Sequence, residues 1–151
     1  MAGIYIHIPF CKSKCYYCDF YSITDISMKD RYIKALINEI NIRNMFFNED
    51  DIKSIYIGGG TPSLLEVRDL HIILNEIFKN FKLKNLLEFT IELNPDDVNK
   101  EYINELKSLG VNRISLGIQT FNEKILKVIN RRHDRKTALN ALDIIFNAGF
   151  Q

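Results

Sequence analysis

All three cysteines of this chain, Cys11, Cys15 and Cys18, fall in one short stretch with the spacing C-x3-C-x2-C. Disulfides use thiols in pairs, and closed structural metal sites take four protein ligands. Three thiols in one loop suit a metal centre that keeps one coordination position open. Iron–sulfur clusters are held by thiolates, normally four for a four-iron cube. With three, one iron is left as a Lewis acid able to chelate a small ligand through amino and carboxylate groups. A zinc ion on Cys11, Cys15, Cys18 and His7 is the competing reading, although structural zinc sites usually combine two separated ligand pairs. A purely electron-carrying cluster would lack its fourth thiolate.

The rest of the composition narrows the setting. With 151 residues, 46% of them hydrophobic, the chain can build one domain with a sizeable core. Twenty basic against 19 acidic residues leave a net charge of +1, which provides no broad footprint for nucleic acid or anionic lipid. No apolar run approaches the ~20 residues of a membrane span, and MAGIYIHIPF lacks the basic flank and cleavage pattern of a leader. A cytoplasmic location is therefore expected. Thiols stay reduced there, so a tight cysteine group is metal-binding or catalytic.

These residues need elements to position them. GIYIHIP reads as a strand ended by Pro9, running directly into the cysteine loop. From Met28 to about Met45, Ile33, Leu36, Ile37 and Ile40 form one stripe of an amphipathic helix. IKSIYI is a second strand, closed by Gly58, Gly59 and Gly60. Ser63 is expected to cap the next helix, whose stripe is Leu70, Ile73, Leu74 and Ile77. LLEFTIEL is a third strand, and Asn99 caps a short helix through Leu109 that stops at Gly110. VNRISLGIQ is a fourth. Asn122 opens a helix near Ile125 to Ile129, and a last helix covers about Thr137 to Ala148, before Gly149. Four alternations of strand and helix predict an α/β fold of parallel strands with right-handed crossovers. The chain stops at Gln151, where a further strand is expected, so 1–151 reads as about four βα units of an incomplete barrel.

Successive strand side chains point to opposite faces, which splits each strand in two. Ile4, Ile6 and Ile8 oppose Tyr5 and His7, and Ile55 and Ile57 oppose Tyr56 and Gly58. Phe89, Ile91 and Leu93 oppose Glu88, Thr90, Glu92 and Asn94, while Ile114, Leu116 and Ile118 oppose Arg113, Ser115, Gly117 and Gln119. A parallel sheet covered on both faces should be apolar throughout. A polar second face suits a curved, partly closed barrel with a ligand-filled interior. The alternative is one solvent-exposed face.

The order and wording of four segments go further. YIHIPFCKSKCYYCDF, GGGTPS, IELNP and SLGIQTFNEKILKVINR resemble the radical S-adenosylmethionine superfamily, and within it the oxygen-independent coproporphyrinogen III oxidase and haem-chaperone family. That resemblance implies a TIM-like radical SAM barrel, here its N-terminal part, with two more units and a C-terminal domain outside this chain. It implies a [4Fe-4S] cluster on Cys11, Cys15 and Cys18 whose open iron binds S-adenosyl-L-methionine, cleaved to methionine and a 5′-deoxyadenosyl radical when an electron donor reduces the cluster.

It also assigns cofactor contacts. Gly59, Gly60 and Thr61 neighbour the methionyl part, Glu92 the ribose hydroxyls, and Arg131 a carboxylate. Gln119, Tyr5, Tyr17, Asp19 and Phe20 complete the cofactor-contacting set, Tyr17 and Asp19 beside the adenine. Oxidases of the family resemble C-x3-C-x2-C-x-C, whereas here Phe20 stands two past Cys18. CDF is similar to the haem-chaperone, HemW-like branch, which implies haem as cargo and a haem-acceptor protein as partner, and argues against oxidase activity. The oxidase itself and an inactive remnant are the other readings. His7 is a substrate-side candidate only; His71 and His133 carry no assignment.

Overall fold

A computed structural model describes residues 2–47 and 52–150; Gln151, where the chain ends, lies outside the described residues. Four strands form: β1 (Ala2–Ile8), β2 (Ile52–Gly59), β3 (Glu88–Leu93) and β4 (Arg113–Leu116). They join in the order β1-β2-β3-β4, every pair parallel. Consecutive order without a reversal is the arrangement of a barrel wall, whereas a doubly wound sheet reverses at a switch point. The helices α1 (Lys29–Arg43), α2 (Val67–Asn80), α3 (Lys100–Ser108), α4 (Glu123–Val128) and α5 (Arg135–Asn147) connect and follow the strands. α1 packs on α2, α2 on α3, and α3 on α5.

The expected split of the strands decides where the core lies. Ile6, Ile8, Ile55, Ile57, Phe89, Ile91 and Leu93 are buried against the helices. Leu70, Ile73, Leu74 and Ile77 are each at most 1% exposed, so the predicted stripe of α2 is wholly interior. Burying four such side chains contributes roughly 6–12 kcal/mol before chain entropy is charged against it. Among the described residues no helix is long and apolar enough to cross a membrane.

Several helix and strand ends differ from expectation: β2 runs on to Gly59, β3 starts at Glu88 and β4 at Arg113, and three further differences have identifiable causes. Ser63 does not cap α2: Pro62–Leu64 form a 3-10 turn first, and the Ser63 hydroxyl donates to Asp97 at 2.8 Å. The cap residue is Glu66, whose backbone N–H donates to Asp69 at 3.1 Å, and Lys29 of α1 pairs with the same carboxylate at 2.6 Å. β4 ends at Leu116, not Gln119, because the chain breaks into turns: Ile118 N–H bonds Leu116 O and Thr120 N–H bonds Ile118 O. α5 begins at Arg135, since Asp134 accepts from Thr137 N–H and caps it earlier than Thr137. Asn99 and Asn122 cap α3 and α4 as their types predict.

The packing of α2 sets the expected cost of a core truncation. Leu74→Ala, at a side chain 1% exposed, should lower stability by about 2–5 kcal/mol. Urea unfolding checks this through a reduced midpoint at unchanged slope.

Candidate metal and cofactor site

The strands end at one level. Ile8 pairs with Gly59, Ile57 with Ile91, and Leu93 with Leu116, so the residues just beyond these positions gather at one end of the sheet. A cavity of about 320 Å³ lies there. Its lining includes Cys11, Cys15, Cys18, Tyr17, Phe20, Gly59, Gly60, Thr61, Glu92, Gln119 and Arg131. Eleven of the thirteen residues singled out from sequence thus meet at one site. Tyr5 and Asp19 are outside the lining: Asp19 is exposed, and Tyr5, 59% exposed, donates its hydroxyl to His7 Nδ1 at 3.1 Å.

The cysteine loop is held by backbone and side-chain bonds at several points. Cys11 N–H donates to Ile23 O at 2.9 Å, and Ile23 N–H returns to Pro9 O at 2.7 Å. Phe10, 1% exposed, anchors the loop's entry and meets the Tyr32 ring edge-on. Tyr16 N–H donates to Ile129 O, Asn130 Nδ2 to Lys14 O, and Lys12 Nζ pairs with Asp97 at 2.7 Å. All three thiols are free. No three His, Cys, Asp or Glu side chains among the described residues converge on one ion-sized point. His7 is committed elsewhere. Its Nε2–H donates to Tyr21 O at 2.8 Å, which leaves Nδ1 as acceptor for Tyr5, so neither nitrogen is free for the zinc set.

Behind the thiols runs an arc of polar bonds. Arg131 Nη1 lies 3.4 Å from Cys15 Sγ, and Nη2 donates to Asn94 Oδ1 at 2.6 Å and to Gly117 O at 2.5 Å. Asn94 Nδ2 donates to Thr61 Oγ1, whose hydroxyl reaches Cys11 Sγ at 3.5 Å. The Nε of Arg131 is buried without a partner. A buried charged donor left unpaired is costly, and this one belongs to a residue of the cavity wall. Glu92 is fixed by both oxygens: Tyr56 hydroxyl donates to Oε1 at 2.6 Å and Gly59 N–H to Oε2 at 3.1 Å. Burial first, then that bond, pushes the Tyr56 hydroxyl above its ordinary pKa. Burial likewise raises Tyr17, with Arg131 opposing it and Cys15 adding to it.

The polar face of the sheet is therefore divided. Nearer the strand starts its groups bond one another beside solvent, with Thr90 fully buried and bonded to Glu88 and Arg113, which stay half-exposed. Only its far end, from Glu92, Asn94, Ser115 and Gly117 outward, opens into the cavity. Sequence reasoning placed Asn94 and Ser115 on this face without giving them a role; their alternation with Leu93 and Leu116 was the available signal. Gln119 reaches the cavity by a turn with φ of 66°, not by strand alternation. His133, unassigned from sequence, is 4% exposed beneath that turn.

The profile of the Radical SAM superfamily matches residues 5–151. The chain is 43% identical over 97% of its length to the haem chaperone HemW of Lactococcus lactis and 43% identical over 93% to that of Buchnera aphidicola; it spans 38% of each. The coproporphyrinogen III oxidase HemN from Escherichia coli superposes with a TM-score of 0.91 at 31% identity, over 99% of this chain and 35% of that one. The chain thus spans well under half the length of the proteins it matches.

Two outcomes follow from the geometry. A Cβ on Gly60 would stand 2.7 Å from Phe10 O, 2.9 Å from Ile8 O and 3.0 Å from Cys11 Sγ. Backbone oxygens have little room to yield, so Gly60→Ala should cost about 1–3 kcal/mol. It should also speed alkylation of the buried Cys11 thiol, followed by mass spectrometry. The second concerns pH. Burial holds His133 below its usual pKa, with Arg131 adding to the effect while the Ile118 carbonyl, Asp96 and Asp134 oppose it. The unfolded chain then binds that proton first, so this contribution to stability is complete above about pH 6.5 and declines as pH falls towards the lower folded value. Urea midpoints between pH 7.5 and 5.5 should show that decline, flattened in His133→Leu.

Proposed function

This chain belongs to the radical SAM superfamily, and from that premise we propose that Cys11, Cys15 and Cys18 hold a [4Fe-4S] cluster that binds S-adenosyl-L-methionine, in a protein that serves as a haem chaperone. The observation that carries the reading is the shared cavity. Three thiols from the loop after β1 face a polar wall drawn from the ends of β2, β3 and β4. The residues fit the group. The thiols are free, Gly60 leaves room for backbone to pass within contact of Cys11, and Arg131 presents an unpaired buried N–H.

When bound, cluster and nucleoside together supply one-electron cleavage chemistry. The chain's own groups bind and orient. Arg131 offers Nε to a carboxylate while its other nitrogens stay fixed on Asn94 and Gly117. Glu92, already immobilised by Tyr56 and Gly59, turns its remaining lone pairs to the ribose hydroxyls. Backbone carbonyls of the Gly59, Gly60 and Thr61 turn accept from an ammonium. Tyr17 and Phe20 supply rings against the adenine, with Asp19 and Tyr5 at the periphery.

Haem as cargo follows from the relatives named as haem chaperones; a haem-acceptor protein as recipient, an electron donor for any cofactor cleavage and a cytoplasmic setting are parts of the same proposal. Two observations favour chaperone over oxidase: identities of 35–43% to the chaperones against 30–31% to the oxidases, and Phe20 two past Cys18.

Anaerobic reconstitution with iron and sulfide should load about four irons per chain. Serine at any of the three cysteines should remove most of them. Loaded protein should take up haem stoichiometrically and release it to an apo-acceptor, read by the haem absorbance band. Zinc uptake without a cube would overturn the cluster. Consumption of the nucleoside coupled to porphyrinogen decarboxylation would replace the chaperone by an oxidase, and loaded protein that binds no haem would make it neither.

A further inference from the structure

Gln119 is one of two residues other than glycine with positive φ among the described residues, and it sits in the cavity wall. Its turn closes a three-residue ring, Thr120 N–H to Ile118 O at 2.8 Å, with φ of 66° at the centre. Turns of that kind are rare and strained, and a left-handed glutamine persists only where its surroundings hold it. The carbonyl at the heart of this turn accepts a second bond. His133 Nε2 lies 3.2 Å from Ile118 O. A carbonyl can only accept, so Nε2 carries the proton, and Nδ1 is left bare, buried and without a partner.

His133 has one available use for its proton, and it spends it on the strained turn. The same short segment holds the site from the other side. Asn130 bonds Lys14 O in the cysteine loop, Arg131 reaches Cys15 and Gly117, and Arg132 pairs with Asp96 at 2.7 Å. We propose that His133 is a positioning residue: its Nε2–H holds the Ile118 carbonyl so that Gln119 is presented to the cofactor cavity in its left-handed turn. Its effect on ligand affinity rests on the cofactor reading above; its hold on the turn does not.

Two measurements on the whole protein separate these. In metal-free wild type, 15N chemical shifts should show the Nε2–H tautomer of His133, and the Thr120 amide should exchange slowly. His133→Leu should accelerate that amide about tenfold, the size of one lost hydrogen bond, whereas His133→Gln, whose amide N–H can occupy the place of Nε2–H, should restore protection. In cluster-loaded protein, S-adenosylmethionine should perturb the electron paramagnetic resonance of the reduced cluster. Titrated by that signal, His133→Leu should bind about tenfold more weakly with iron content unchanged, and His133→Gln should stay near wild type. Unchanged Thr120 exchange in His133→Leu would remove the proposal outright. Altered exchange with unaltered affinity would leave His133 structural and overturn its positioning role. Wild type that holds its cluster yet never responds to the nucleoside would overturn the cofactor reading, and the affinity role with it.

Discussion

The site depends on the register of a parallel sheet. Because Ile8 stands beside Gly59, Ile57 beside Ile91 and Leu93 beside Leu116, four strand ends finish level and hand their next residues to one cavity. A slip of one residue in any pair would exchange faces, turning the side chains of Glu92 or Ser115 towards the helices and those of Leu93 or Leu116 to the polar face. The apolar face resists that slip. Ile55, Ile57 and Ile91 are all fully buried, so the hydrophobic layer that stabilises the domain also fixes where its polar groups emerge. Stability and site are set by the same alternation.

Register alone aligns only the strand ends; the cysteine loop has to be brought to them. That is done by residues far away in sequence. Arg131 contacts Cys15 across 116 positions, and Asn130 bonds the carbonyl of Lys14 across the same separation. Asp97, whose side chain is 5% exposed, gathers Lys12 of the cysteine loop, Ser63 after β2 and Arg132 after α4 on one carboxylate. Exposed ion pairs such as Arg43 with Glu39 contribute little. A buried carboxylate with several charge-assisted donors is different, because removing any donor leaves the others' partner under-satisfied. The loop is thereby tied to three strand exits rather than to one.

Much of this was legible in the sequence, and the omissions have identifiable causes. The cysteine spacing, the helix stripes and the two-faced strands depend on local periodicity, and they led to the sheet, the core and most of the cavity wall. Extending β4 to Gln119 by alternation gives the right face for the wrong reason: the chain turns after Leu116, and Gly117, a residue that interrupts strands, is the local signal for it. His133 was overlooked because it stands among Arg131, Arg132, Asp134 and Arg135, a stretch that reads as solvated, while the fold buries one side chain of it under Ile118. Asp97 carries no assignment from the sequence, and Ser63 is read there as the cap of α2. Both look like ordinary cap or turn residues locally, and their partners are fixed only by tertiary contact.

The anchoring also leaves the three cysteines unequally held. Fixing a residue's backbone costs about 1–2 kcal/mol, so a loop that must be ordered by its ligand weakens that ligand's binding. Here much of the ordering is supplied by the protein. Cys11 is buried and its N–H is held by Ile23, and Cys15 is flanked by Lys14 and Tyr16, each bonded to the segment after α4. Cys18 differs: its own backbone bond runs to Cys15 O within the loop, and the next tie beyond it is Tyr21 O, which accepts from His7, while the Phe20 and Tyr21 rings are exposed. Two thiols are thus presented by a rigid frame and the third by a local turn. Cys11 and Cys15 are fixed directly by other segments of the chain, whereas Cys18 is fixed through its neighbours along the loop.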